Sequence, residues 1–315
     1  MGQIPEVGSM AGMVSSVRRR TLLSGGAVAL CGLAGCSRVR NRTQSHSATV
    51  SMLVAGSLNN ALENGLRPDA ETTIEIEAYG SAEVAHLIAD DRKDPDIVSV
   101  ADIALFDSPL HPDWFAEFAT NSIVIAYNPD TEGGQRLADA GPDTWYRPVL
   151  DREVAIGRTD PDLDPLGYRA LFMLELATEY YGTDRDLREA IPRREQIYPE
   201  TQLVSQFETG SIDAAIAYRN MAVERGYDYI DLPAEIDLSD PSFTDTYTTA
   251  TYELPSGKVV RGGLISYGST IRHRSSAAVD VFDDHITGQY VSEFGFTIPD
   301  NYPRFTGNVP DDITN

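Results

Sequence analysis

Residues 159–181 read TDPDLDPLGYRALFMLELATEYY, and this stretch decides how the rest of the chain is arranged. Asp162, Asp164 and Pro165 make a turn that feeds a helix, with Asp164 at the N-cap and Pro165 at the first helical position. Leu166, Ala170, Met173, Ala177 and Tyr180 then recur at helical spacing and predict one apolar stripe. A helix start offers unpaired N–H groups and a partial positive charge, which together suit an anion. By itself the Asp-Pro pair is also what any capped surface helix shows.

Upstream, similar starts follow short strands. Ala48–Ala55 is strand-like, then Gly56-Ser57 leads into a segment with Leu58, Ala61, Leu62 and Leu66 on one face. The plan repeats: Thr73–Ala78 alternates as a strand, Tyr79-Gly80 turns, and Ser81 opens a helix carrying Val84, Ala85, Leu87 and Ile88. Asp96–Val100 is a third strand. Units of this kind predict an open, mostly parallel α/β sheet, which binds ligands at the carboxyl ends of its strands. Ser57 and Ser81 both fall there, each read as an N-cap.

Downstream, Asn121–Tyr127 is a strongly apolar strand read as the crossing into a second lobe, and Val154–Gly157 is the short strand that delivers Asp164. Thr201 is read as the cap of a helix with Leu203, Val204 and Phe207 on its apolar face and Gly210 at its end, so that Glu200 mirrors Asp164. Ile212–Tyr218 follows as a strand with Tyr218 at its carboxyl end. Tyr229–Pro233 is the return crossing, after which strands near Thr248–Leu254 and Gly263–Tyr267 and a helix over Ala277–Thr287 rejoin the first lobe. The resulting organisation is an export signal at 1–35, a tether at 36–47, a first lobe of 48–122 with 232–315, and a second lobe of 123–231.

The 315 residues carry 48 acidic against 25 basic side chains, a net charge of −23, and the only lysines are Lys93 and Lys258. Such acidity with so little lysine resembles the proteome signature of salt-loving archaea, with an ordinary acidic protein as the alternative. It argues against nucleic acid as a partner, which needs basic surface. A small anion is still admitted, because at about 1 M salt the Debye length is about 3 Å and only local donors count.

Arg18–Cys36 reads RRRTLLSGGAVALCGLAGC: a charged start, a short run of small and apolar residues, and a small-residue cleavage site, the marks of an export signal. Arg19-Arg20 before Thr21-Leu22-Leu23 resembles the twin-arginine motif, and Leu33-Ala34-Gly35-Cys36 resembles a lipobox, which makes Cys36 the lipidated first residue of the mature chain. Met10 or Met13 serves equally as a start, and an uncleaved membrane anchor is the alternative to lipidation. Both cysteines lie within the first 36 residues, which leaves the body no disulfide, thiolate metal site or thiol catalysis.

Taken in order, Ala55-Gly56-Ser57-Leu58, Tyr79-Gly80-Ser81, Asp164–Leu171, Glu200-Thr201, Gly210–Asp213, Tyr218-Arg219, Tyr229–Pro233 and Tyr267–Ile271 resemble the archaeal tungstate/molybdate-binding proteins of ABC importers. The resemblance runs from about Ala48 to Pro310. It implies a bilobed periplasmic-binding-protein-like fold of type II, with two mixed-sheet lobes joined by a two-strand hinge. It also implies a monomeric, non-enzymatic protein without cofactor, held by its lipid on the extracellular face of the cell membrane. Such a protein captures tungstate or molybdate between the lobes and delivers it to a permease with its ATPase. By the same resemblance, Ser57, Ser81 and the Leu166 amide donate to the oxyanion, Asp164 and Glu200 bring carboxylates to the metal atom, and Tyr218 joins them by analogy with bacterial relatives. Leu166 stands where the family more often has a small residue, and Gln202 replaces an Asp common after the Glu-Thr pair.

Two other functions stay open at this point. One is the same fold used as a sensor or as a binding protein for sulfate, phosphate or an organic acid. The other is an exported hydrolase, against which stand the absence of a Gly-x-Ser-x-Gly elbow and the scatter of His46, His86, His111, His273 and His285.

Overall fold

Three parallel strands ending level with one another set the frame. In the computed structural model, which describes residues 48–191, 196–255 and 257–313 apart from the side chains of Glu200 and Thr201, β1 (Thr49–Ala55) lies between β2 (Thr73–Tyr79) and β3 (Ile97–Val100). Ala55 pairs with Tyr79 and Val54 with Ser99, so Gly56-Ser57, Gly80-Ser81 and Ala101-Asp102 all emerge at one sheet edge. Both faces of β1 are covered, Val50, Met52 and Val54 on one and Leu53 on the other, which is why it reads as an unbroken apolar run.

The other strands are β4 (Trp114–Asn121), β5 (Ile123–Tyr127), β6 (Ile156–Thr159), β7 (Ile197–Tyr198), β8 (Ala214–Tyr218), β9 (Asp228–Asp231), β10 (Thr251–Glu253), β11 (Val259–Arg261), β12 (Ile265–Ile271) and β13 (Arg304–Gly307). They complete a six-stranded mixed sheet ordered β13-β4-β12-β3-β1-β2 and a five-stranded mixed sheet ordered β7-β6-β8-β5-β9, while β10 and β11 pair only with each other. The fold is thus α/β with two mixed sheets, the bilobed type II arrangement.

The sheets exchange the chain at a narrow crossing. The apolar run expected as one strand from Asn121 to Tyr127 is broken at Ser122, where β4, a strand the sequence reading had not separated, ends in one sheet and β5 begins in the other. Nothing in its side-chain pattern marks the change of sheet. At the crossing Arg219 N donates to Ser122 O at 2.9 Å, Ile123 N to Asp237 O at 2.9 Å, and Ile265 N to Leu238 O at 3.0 Å. The β10–β11 hairpin does not go back to the first sheet. It lies on the second lobe, where Tyr252 OH donates to Asp162 Oδ1 at 2.6 Å and Arg188 Nη1 to Thr251 O at 3.0 Å.

The helix Pro165–Tyr180 forms as its sequence requires. Asp164 is extended at φ −141°, ψ 131°, its Oδ1 accepts from Leu166 N at 2.9 Å, and Leu166, Ala170, Met173 and Ala177 are buried. Tyr180, last in the stripe, is 46% exposed, because the helix outruns the core. Gly167 lets the first turn lie against the preceding loop: a Cβ there would sit 2.5 Å from the Asp160 carbonyl carbon. Among the described residues no helix is long and apolar enough to cross a membrane. The signal, the tether and Cys36 lie outside the described residues.

Candidate functional site

Between the carboxyl ends of the two sheets opens a cleft of about 610 Å³. Ser57, Ser81, Asp164, Leu166 and Tyr218, five of the six residues singled out in the sequence, line it together. For the sixth, Glu200, the backbone opens the helix Glu200–Glu208 directly after β7, the outermost strand of its sheet. Its side chain, and with it the expected meeting with Asp164, lies outside the described residues.

The two serines are not the caps expected of them. Ser57 sits inside the 3-10 turn Gly56–Leu58, capped by Ala55 without a side-chain bond. Its hydroxyl is instead 2.9 Å from Tyr267 OH. Ser81 is the first residue of the helix Ser81–Ala89, whose N-cap is Gly80, and its Oγ accepts from Ala101 N at 2.9 Å. In both cases the glycine ahead of the serine takes the chain out of the strand and the helix begins at once, which releases the hydroxyl. The first bond within the latter helix runs from Val84 N to Gly80 O, so the Ser81 and Ala82 amides, which line the cleft, have no acceptor inside the helix. Thr201 likewise falls within its helix, after an N-cap at Pro199.

Asp164 is the unusual group. One oxygen is used as the helix cap, while Oδ2 is buried and has no hydrogen-bond partner. A buried carboxylate oxygen left so is costly unless something else meets it. The Leu166 amide, expected as a donor to an anion, is meanwhile taken by Asp164 Oδ1.

Arg169 was quoted within the sequence motif but given no role, and the structure places it in the cleft. It sits one and a half turns into the helix that Asp164 caps, with Nη1 donating to Tyr218 OH at 2.7 Å and its guanidinium 5.7 Å from the Tyr218 ring centre. Burial works against its charge, but the Tyr218 and Tyr168 hydroxyls beside it hold the guanidinium above its ordinary pKa. Burial also pushes the Tyr218 phenol up, which keeps it a neutral O–H. An arginine in a helix carries no period of its own, and its aim depends on Tyr218, 49 residues away in sequence.

Asn121, Asn220 and Tyr267 were missed as well. Asn121 Nδ2 donates to Asn220 Oδ1 at 2.8 Å and to Tyr267 OH at 3.3 Å, and Asn220 Nδ2 donates to Ser57 O at 3.2 Å. Asn121 and Asn220 are 0% and 3% exposed. The available signal was an Asn closing an apolar strand, a position that needs partners to be buried.

As for the hydrolase alternative, among the described residues the His–Ser pair of His285 and Ser99 is not reachable from solvent. His285 Nε2 is 3.0 Å from Ser99 Oγ and Nδ1 is 2.7 Å from Tyr290 OH, but His285 and Ser99 are both 0% exposed, and burial lowers the His285 pKa to about 3.

Comparison with known proteins gives one consistent likeness. The sequence matches the family of bacterial extracellular solute-binding proteins over residues 52–256. It is 49% identical over 298 residues, 94% of this chain and 96% of the relative, to a protein of Haloferax volcanii named "Putative ABC transporter molybdenum-binding protein". It is 32% identical over 268 residues, 73% of this chain and 77% of the relative, to the molybdate/tungstate-binding protein WtpA of Pyrococcus abyssi. Among solved structures, the "substrate binding domain of putative molybdenum ABC transporter from Clostridium difficile" superposes with a TM-score of 0.54 at 12% identity, covering 80% of this chain and 99% of that one, a likeness of fold.

Proposed function

Because this chain belongs to the bacterial extracellular solute-binding protein family, we propose that it captures molybdate or tungstate in the cleft between its lobes and hands it to an ABC importer. The observation that carries this reading is Asp164, a cleft-lining aspartate whose buried Oδ2 has no partner, in a cleft whose other groups are mostly donors, with Asp102 and Glu224 as further carboxylates. Tungstate and molybdate are dianions without a proton at neutral pH, so each of their oxygens wants a donor. The hydroxyls of Ser57, Ser81 and Tyr218, the Ser81 and Ala82 amides and the Arg169 guanidinium supply that chemistry.

A carboxylate among these donors repels sulfate, whose sulfur takes no further ligand. The hexavalent metal of molybdate or tungstate is larger and accepts extra oxygens, so the same Asp164 oxygen attracts it. Glu200, at the second helix start, supplies the other carboxylate as the lobes close, and the Leu166 amide joins the donors if the Asp164 cap shifts towards the metal. Cys36 carries the lipid that holds the protein on the outer face of the cell membrane after twin-arginine export. The protein works there as a monomer, without a cofactor, beside a permease and its ATPase.

Hydrogenphosphate is the second reading, favoured by the same oxygen, since its proton would be donated to Asp164 Oδ2. Calorimetric titration of the mature body in molar salt with tungstate, molybdate, sulfate and phosphate separates the two. Binding of both metal oxyanions at least a hundredfold tighter than sulfate and phosphate is expected. Equal affinity for sulfate, or heat with phosphate alone, rejects the reading. Replacing Glu200 with Ala tests its part separately: tungstate binding should weaken while sulfate binding stays as it was, and an unchanged tungstate affinity removes Glu200 from the site.

A further inference from the structure

From the buried polar chain behind Ser57 we infer that Tyr267 and Asn121 are positioning residues that turn the Ser57 hydroxyl into an obligate donor towards the bound oxyanion. The inference rests on the oxyanion reading of the cleft given above.

The direction of each hydrogen bond in this chain follows from one fixed point, the Ser122 amide at the crossing between the sheets. A backbone N–H only donates, and Ser122 N lies 2.9 Å from Asn121 Oδ1, with Asn220 N also facing that atom at 3.4 Å. The opposite amide orientation would set Asn121 Nδ2 against two donors, so Oδ1 and Nδ2 are assigned without ambiguity. Nδ2 then donates to Asn220 Oδ1 at 2.8 Å and to Tyr267 OH at 3.3 Å.

Tyr267 OH therefore receives a hydrogen from Asn121 and still has its own to place. Tyr267 is 1% exposed, too buried to give that hydrogen to solvent, and burial raises its pKa, so it remains a neutral phenol. Among the described residues its one other partner is Ser57 Oγ, at 2.9 Å. The phenol donates and Ser57 accepts. Asn220, whose Oδ1 is filled by Asn121, meanwhile donates Nδ2 to the Ser57 carbonyl at 3.2 Å and fixes the backbone there.

With its oxygen occupied as an acceptor, Ser57 keeps its hydrogen for the cleft it lines. Ser81 and Tyr218 are in the same state by other means: Ser81 Oγ accepts from Ala101 N and Tyr218 OH accepts from Arg169 Nη1. All three hydroxyls thus keep their own hydrogen to place in the cleft, which favours an oxyanion bearing no proton. Only at Ser57 is this direction set by a chain that begins in the hinge, and hydrogen bonds in such chains polarise one another in a low-dielectric interior.

Tyr267→Phe is the test. The ring keeps its packing against Phe118 and Phe296, at centroid distances of 6.5 and 5.0 Å, so the variant retains its shape and loses only the hydroxyl. Calorimetry on the mature body should show tungstate bound about tenfold more weakly, the usual cost of one hydrogen bond to a charged partner. Hydrogenphosphate binding should stay level or improve, since Ser57 is then free to turn its hydrogen away and present a lone pair. Ser57→Ala should cost about tenfold in the parent and less than twofold in the Tyr267→Phe background. Tungstate and phosphate weakening in parallel, additive losses in the double variant, or no change in either anion overturns the positioning role. If the parent itself binds no metal oxyanion, it is the oxyanion reading that fails.

Discussion

The two walls of the cleft are built on different principles. On the six-stranded side the groups held in a set direction are neutral: Ser57 and Ser81 are held by buried bonds to Tyr267 and to the Ala101 amide, in the first case through a chain that reaches the hinge, while a carboxylate, Asp102, lines this wall beside them. On the five-stranded side the groups are charged: Asp164 and Arg169 lie on the first turns of one helix, and Tyr218 holds the arginine from the neighbouring strand. A neutral hydroxyl that is orientated from behind recognises the shape and proton content of a ligand. A carboxylate and a guanidinium within two helical turns recognise its charge and its capacity for further coordination. On the proposed oxyanion reading, one wall sets geometry and the other sets selection between anions of the same charge.

The sharpest way to break that division is Asp164→Asn. Asparagine is as good an N-cap as aspartate, so the helix and the melting temperature should be nearly unchanged. Tungstate affinity should nevertheless fall about a hundredfold or more, with sulfate bound more tightly than by the parent, because a repelling charge has gone. Titration of both anions, with a thermal melt alongside, measures this; an unaltered ratio of tungstate to sulfate affinity would leave the charged wall without a selective role. Next in size is Arg169→Gln. Losing the guanidinium should weaken tungstate, molybdate and sulfate together by about tenfold, since all three are dianions and none is singled out by a cation. A change in ratio between them would mean that Arg169 selects as well as attracts. Smaller again is Ser81→Ala, expected to weaken each dianion about threefold, because the helix amides beside it remain.

What the sequence disclosed follows the same split. The Asp164 cap, the helix behind it and the α/β plan were readable because caps and apolar periods act over a few residues. Tyr218 could be placed at a strand end for the same reason. Ser57 and Ser81 were placed at the right edge but are not the caps read there, since a glycine before a serine suggests a cap whether or not the helix has already begun. The roles of Arg169, Asn121, Asn220 and Tyr267 were not legible. Each depends on a partner 49 to 210 residues away, and neither composition nor spacing records which polar side chains meet across a sheet. The break at Ser122 was hidden for a related reason, because an extended chain passing from one sheet to another keeps its alternation.

The hinge offers the last and, for binding, the smallest effect, and it asks whether the two walls are mechanically independent of the joint between them. Asp237 accepts from Ser239 N and Ser239 Oγ, both at 2.8 Å, while its own carbonyl holds Ile123 across the crossing. Burial outweighs those two bonds and pushes its carboxyl up to about 7. The folded protein thus holds a proton there that the unfolded chain has released above about pH 4. Stability from this group is full below about pH 4 and is lost as pH rises towards 7, by up to about 1.4 kcal/mol per unit. Above about pH 7 the loss is complete and the slope returns to zero. Asp237→Asn stays uncharged throughout, so its melting temperature should overtake the parent's at pH 8 and the difference should vanish near pH 4. Tungstate affinity at pH 8 should be the same in both, because Asp237 touches neither wall. If binding moves with the melting curve instead, charge at the hinge is felt in the cleft, and the two walls cannot be treated as separately built.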